Sequence, residues 1–170
     1  MLKVAGMFFI MLGAAGLGGY LRSCLRGRLE QLVECRELFA EMDALREYVR
    51  LPYEQLLRRT AKGRNSIFAE ICNEVADEME KNENADVKGL WQDSFLKRKQ
   101  LLYLKEEEIE ILSALAKSLM LEGNHAKVAE MYFLQLEDKI VQAMEEKKEK
   151  QKLYGSVSVL LGLFLVILLL

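Results

Sequence analysis

The chain has 170 residues and a formal net charge of −2, and a single proline, Pro52, occurs in the whole sequence. This charge lacks the basic excess of nucleic-acid-binding proteins, so nucleic acid is not an expected partner. The scarcity of proline and the abundance of good helix formers such as Leu, Glu, Lys, Ala and Met predict an all-α fold and argue against strand-rich classes.

An uncharged apolar segment lies at each end of the sequence, over residues 4–21 and 153–170, and each has 18 residues. A helix of that length extends about 27 Å, which nearly matches a hydrocarbon core of about 30 Å. The pattern predicts a transmembrane helix within residues 1–21, a soluble domain over 22–152 and a second transmembrane helix over 153–170. The lipid bilayer is therefore an expected partner.

Basic residues flank the two apolar segments unequally, with seven on the domain side against Lys3 on the outer side. Because lysine and arginine near membrane ends favour the cytoplasm, the domain is predicted to face the cytoplasm. A cleavable signal peptide is the alternative, and the apolar run up to Leu21, followed directly by arginine, disfavours it. The seven residues are Arg22, Arg26, Arg28, Lys147, Lys148, Lys150 and Lys152.

Small residues recur at a spacing of four in the first apolar segment, where Ala14 is followed by Gly18 and Ala15 by Gly19. Such pairs allow two membrane helices to approach closely, so these four residues are candidates for transmembrane helix packing. A plain lipid-facing helix with incidental glycines is the alternative. Assembly with further copies of the chain stays open.

Between the anchors, apolar residues at helical spacing predict a bundle of about six helices. The first runs from Leu25 and stops before Pro52, because proline restricts the residue that precedes it. Pro52 then suits the first turn of a second helix, and Gly63 is its expected stop. Ser66 is a plausible cap for a third helix over 67–80, and a fourth contains Trp91.

A fifth helix is predicted over 104–120, with a turn at 122–124, and the last helix runs from His125 to about Lys152. The apolar line that defines this last helix consists of Val128, Met131, Tyr132, Leu136, Ile140 and Met144.

A basic stretch is followed directly by an acidic helix face, and together they form the candidate docking region for a partner. One hypothesis is that the two sets of charges neutralise each other within the fold. The other is that one of them docks a cytoplasmic partner of opposite charge. The basic residues are Arg58, Arg59, Lys62 and Arg64, and the acidic residues are Glu70, Glu74, Asp77 and Glu78.

No catalytic constellation is visible, so the protein is not predicted to be an enzyme, and no cofactor or metal is expected. The one histidine, His125, has no evident partner, and no HExxH, CxxC or GxSxG motif occurs. Acidic runs such as 106–108 lie next to lysines, which is typical of a solvated, ion-paired helix face.

The sequence resembles the stage III sporulation protein AB family over essentially its whole length. The resemblance lies in the two apolar ends and in segments 29–57, 90–95 and 112–137, in this order and spacing, while Leu121-Glu122-Gly123 departs from the expected Leu-Gly turn. That family is similar to the cytoplasmic domain of type II secretion and type IV pilus platform proteins.

The resemblance implies a membrane scaffold in the channel complex that links mother cell and forespore. The expected location is the mother-cell membrane around the forespore. The implied partners are the sporulation ATPase of the same operon, docked on the cytoplasmic domain, and other membrane components of the complex. A membrane-bound regulatory or signalling subunit, which binds a soluble partner without a secretion role, is the alternative function.

Overall fold

The computed structural model describes residues 2–49, 51–82, 85–120 and 126–169, and these residues form helices and short connections without a strand. The fold is all-α, as predicted. The six helices are α1 Leu2–Val49, α2 Tyr53–Ala61, α3 Ile67–Lys81, α4 Val87–Lys97, α5 Glu106–Met120 and α6 Ala126–Leu169.

The helix boundaries follow local chemistry closely. The Ser66 side chain accepts a hydrogen bond from the Ala69 N–H at 3.3 Å and caps α3, as predicted. Gly63 directly follows the C-terminal cap of α2 with a φ of +83°, a left-handed conformation that favours glycine. Pro52 immediately precedes α2 instead of lying in its first turn, so that prediction was wrong by one residue.

Helix α5 begins at Glu106, two residues after the predicted start at Leu104. The Lys105 N–H donates to the Glu108 carboxylate at 2.7 Å, and this reach-back bond fixes the first turn at that point. The predicted turn at 122–124 and His125 lie outside the described residues.

The chain divides into two compact units. Unit 1 consists of Met1–Leu29 and Val141–Leu170, and unit 2 consists of Glu30–Ile140. Unit 2 contains α2 to α5 completely, together with the adjoining parts of α1 and α6. Among the described residues of the whole chain, no helical stretch combines the length and the apolar character that a membrane crossing requires.

Unit 2 has a core built around one tryptophan. The Trp91 ring centroid lies 5.2 Å from that of Phe39 on α1 and 5.7 Å from that of Phe95, and Phe95 contacts Phe68 of α3 at 6.5 Å. All four side chains are at most 1% exposed. Tyr53 adds a polar link, because its hydroxyl donates to the Ala116 carbonyl at 2.9 Å.

The buried face of α6 agrees with the predicted one at Leu136 and differs from it elsewhere. Ala129, Leu136 and Ala143 are buried at a spacing of seven, whereas the predicted Met131 and Met144 are 45% and 52% exposed. A seven-residue repeat with small side chains is typical of closely approaching helices. The prediction was wrong at Met131 and Met144, and it passed over the two buried alanines. Val128 is likewise 38% exposed.

Candidate functional site

The candidate docking region lies on α2, α3 and the connection between them. Helix α2 buries Tyr53, Leu56, Leu57, Thr60 and Ala61 and thereby directs its arginines away from the core. We call Arg58, Arg59, Lys62 and Arg64 the basic edge. We call Glu70, Glu74, Asp77 and Glu78 of α3 the acidic face.

The basic edge and the acidic face are partly paired with each other. Arg58 contacts Asp77 at 2.6 Å and Glu80 at 3.0 Å. The hydrogen bonds that Arg58 donates to Asp77 and Glu80 raise the pKa of Arg58. This ion pair joins α2 to α3 across an exposed surface.

Glu74 connects α3 to the end of α4. It accepts from Lys97 at 2.6 Å and from Arg98, and Arg98 also lies 3.6 Å from Glu70. Partial burial works to raise the pKa of Glu74, but the hydrogen bonds from Lys97 and Arg98 outweigh it, and the pKa lies below its usual value. Glu74 therefore contributes to the fold as an ionised group.

Of the remaining charged residues in the region, some form ion pairs within the fold and others form none with a described residue. Glu78 contacts Lys81 at 2.7 Å, and Arg64 contacts Glu41 of α1 at 2.6 Å. Arg59 and Lys62 are exposed, and neither forms an ion pair with any residue in the part of the chain that the structure describes. Six of the eight predicted residues are thus engaged within the fold, and the charge still available to a partner is positive.

The four small residues of the first apolar segment are placed differently from one another. Gly18 is buried, Ala15 and Gly19 are exposed, and the side chain of Ala14 lies outside the described part. A methyl group added at Gly19 would meet no described atom within 4 Å. Their role in packing against another membrane helix stays a prediction.

Unit 1 contains a partly buried ion pair that was not predicted from the sequence. Arg28 of α1 forms an ion pair with Glu146 of α6, and Lys150 contacts the same carboxylate. The side chain of Arg28 is 6% exposed and that of Glu146 is 22% exposed. The position of Arg28 in the sequence could have indicated that it is buried. It lies seven residues before the buried Cys35 and fourteen before the buried Met42, on the same face of α1.

A groove between α4 and α5, with a volume of about 260 Å³, was also missed. Its floor includes Phe95, Leu104 and Ile109, and the exposed Leu96 stands at its edge. Two ion pairs border it, Lys88–Glu110 and Lys99–Glu106.

The described residues contain few groups suited to catalysis. Burial raises the pKa of the Cys72 thiol to about 12, and burial likewise raises that of Cys35 well above its usual value. Both thiols are therefore unreactive as nucleophiles near neutral pH. Within the described ranges, no three His, Cys, Asp or Glu side chains are grouped so that they could hold a metal ion.

Comparison with known proteins gives three findings that agree with one another. The profile of the family described as stage III sporulation protein AB matches residues 3–170. The stage III sporulation protein AB of Bacillus subtilis (strain 168) is 24% identical over 174 residues, which cover 99% of each chain. A solved structure of a stage III sporulation protein AB superposes with a TM-score of 0.63 at 20% identity, covering 72% of this chain and 98% of that one.

Proposed function

Because the chain belongs to the stage III sporulation protein AB family, a family of sporulation proteins, we propose that it is a membrane-anchored scaffold of the channel complex between mother cell and forespore. In this proposal both apolar ends cross the mother-cell membrane that surrounds the forespore. Unit 2 faces the cytoplasm and docks the sporulation ATPase of the same operon. Other membrane components of the complex contact the anchors.

The observation that carries the proposal is the extent of the family match. It runs from residue 3 to residue 170, so both apolar ends are part of what the family shares and neither is peculiar to this chain. Large apolar side chains on these ends are also exposed, among them Leu17 at 57%, Leu160 at 64% and Phe164 at 62%. Exposed apolar surface of this kind is typical of membrane or partner contacts.

The long helices supply a mechanical link in this scaffold. Helix α1 runs without interruption over Leu2–Val49, and helix α6 over Ala126–Leu169. Each therefore includes one apolar end and a part of unit 2. A displacement of unit 2 by a bound ATPase would reach both anchors through continuous backbone hydrogen bonds.

The proposed contact for the ATPase is the unpaired part of the basic edge, Arg59 and Lys62. The acidic face is engaged by Arg58, Lys81, Lys97 and Arg98, so its charges are less available to a partner. We expect an acidic surface on the ATPase, since unpaired exposed charges set encounter rate and register.

The test is a binding measurement between the full chain in detergent and the purified ATPase. The double variant Arg59→Glu, Lys62→Glu should weaken binding by about tenfold, because two attractive charges become repulsive. The control is Lys99→Glu, Lys127→Glu, which reverses two exposed lysines outside the basic edge, one of them paired with Glu106, and should leave binding unchanged.

Circular dichroism must show the same helical content in both variants. Equal loss of binding in both would show that only net charge matters, and unchanged binding of the Arg59, Lys62 variant would rule out the basic edge. Failure of the unaltered chain to bind the ATPase at all would contradict the docking role itself.

A further inference from the structure

In unit 1, the charged ends of the α1 and α6 segments lie next to each other. Helix α1 leaves unit 1 after Leu29, helix α6 enters it at Val141, and the Arg28–Glu146 pair lies near that end of both segments. The two segments therefore run in opposite directions. Six residues from the pair toward the apolar ends stand Arg22 on one helix and Lys152 on the other, each about 9 Å away along the helix axis.

Aromatic residues mark the next level on both helices. Tyr20 and Tyr154 each lie eight residues from the ion pair, about 12 Å along the axis. Tyr20 is 65% exposed. Tyrosine is enriched at the level of lipid headgroups, where its ring contacts hydrocarbon and its hydroxyl contacts water. Basic residue and tyrosine thus follow in the same order on both helices, with the basic residue just outside the uncharged segment and the tyrosine just inside it.

The charge around this level is predominantly positive. Arg22, Lys148 and Lys152 are exposed, and none of them forms an ion pair with another described residue. The nearby acids are Glu145, Glu146 and Glu149, of which Glu146 is engaged by Arg28 and Lys150. Lys148 and Lys152 line an open groove of about 470 Å³ on α6 together with Glu145 and Glu149. Beyond Glu149 toward the C-terminus, only basic charges remain.

We propose that Arg22, Lys148 and Lys152, which we call the basic collar, bind the phosphate headgroups of anionic phospholipids. Lysine and arginine near a bilayer are attracted to its negative surface potential, and their long apolar stems allow the charged end to reach the headgroups. The inference rests on the proposed membrane anchoring. It adds the lipid class and the residues that recognise it.

The experiment measures lipid selectivity on the full chain reconstituted in phosphatidylcholine vesicles. Electron spin resonance compares the fraction of motionally restricted lipid for spin-labelled phosphatidylglycerol and for spin-labelled phosphatidylcholine. The unaltered chain should prefer phosphatidylglycerol by about threefold at low salt, and high salt should remove most of that preference because it screens exposed charges.

The test variant is Arg22→Gln, Lys148→Gln, Lys152→Gln, which retains four flanking basic residues and so leaves the orientation signal in place. Its preference should fall to roughly equal binding of the two lipids. The matched control Arg59→Gln, Lys62→Gln, Lys127→Gln removes three exposed charges from unit 2 and should keep the preference of the unaltered chain.

Two results would overturn the inference: equal binding of both lipids by the unaltered chain, or an equal loss of preference in the collar and control variants. Because the first result needs no substitution, misfolding of a variant cannot obscure it. Anchoring is scored separately by extraction with alkaline carbonate. A chain that is extracted contradicts the anchoring and the collar together, whereas a retained chain without preference contradicts the collar alone.

Discussion

The two units of the chain differ in the solvent exposure of their large apolar side chains. In unit 2, Trp91 and Phe39 are 1% and 0% exposed and lie in ring contact with each other. In unit 1, Leu160 and Phe164 are 64% and 62% exposed, while Arg28 is 5% exposed. Unit 2 therefore buries its large aromatic side chains, whereas unit 1 buries a charge and exposes large apolar side chains.

The strongest way to test the core of unit 2 is to remove its central side chain. Trp91→Ala should lower the free energy of unfolding by about 3–5 kcal/mol, because it leaves a cavity between Phe39 and Phe95. Denaturant unfolding followed by circular dichroism measures this. Leu96→Ala, at a position that is 66% exposed, is the control and should change stability by less than about 0.5 kcal/mol.

The corresponding test of unit 1 removes its buried charge. Arg28→Ala should cost about 1–3 kcal/mol, since Glu146 loses a charged hydrogen-bond partner but retains Lys150. A double-mutant cycle with Glu146→Gln measures the coupling. If the double variant loses as much free energy of unfolding as the two single variants lose together, the pair contributes no coupling. The contrast between the two units would then be weaker than described.

The end of α3 offers a smaller test within unit 2. Ser66→Ala should destabilise the protein by about 1 kcal/mol, because the Ala69 N–H loses its side-chain acceptor. Ser66→Thr retains an acceptor and should recover most of the loss. An equal loss in both variants would show that the cap contributes through something other than this bond.

The smallest expected effect concerns acid sensitivity. The folded state lowers the pKa of Glu74, so the stability that Glu74 contributes is present above its unfolded pKa and is lost as pH falls through the folded pKa. Glu74→Gln should therefore make the free energy of unfolding less dependent on pH in the acidic range, with little change in slope near neutrality. Urea unfolding at a series of pH values measures the slope, and an unchanged acidic slope would contradict this role of Glu74.

The sequence predicted the fold class and most of unit 2 because local signals agreed with tertiary packing there. The Ser66 cap and the Gly63 turn occur where they were predicted, and the apolar faces around Ile71 and Leu112 coincide with buried positions. On α6 the same reasoning identified Leu136 but missed Ala129 and Ala143, which are buried, and selected Met131 and Met144, which are exposed. Hydrophobicity alone cannot distinguish a small buried residue from a large exposed one.

The docking region shows a second limit of sequence reasoning. The sequence indicated a basic edge and an acidic face, but it did not indicate which of these charges form ion pairs within the fold. Arg64 pairs with Glu41 and Glu74 with Lys97, and in each pair the two residues are 23 positions apart in sequence and are brought together only by tertiary packing. The Arg28–Glu146 pair spans 118 residues, so the spacing of Arg28 from Cys35 and Met42 could indicate a buried position but not its partner.

The central claim is that unit 2 lies on the cytoplasmic side of the membrane, between two membrane anchors. Thiol labelling in intact cells tests this claim most directly. Gln100→Cys places a thiol at an exposed position in the α4–α5 connection. Cys24→Ser removes the half-buried native thiol, and the other two cysteines, Cys35 and Cys72, are buried. We predict that a membrane-impermeant maleimide labels the chain only after the membrane is permeabilised, with the chain in the membrane fraction. Labelling in intact cells, or a chain found in the soluble fraction, would contradict the account.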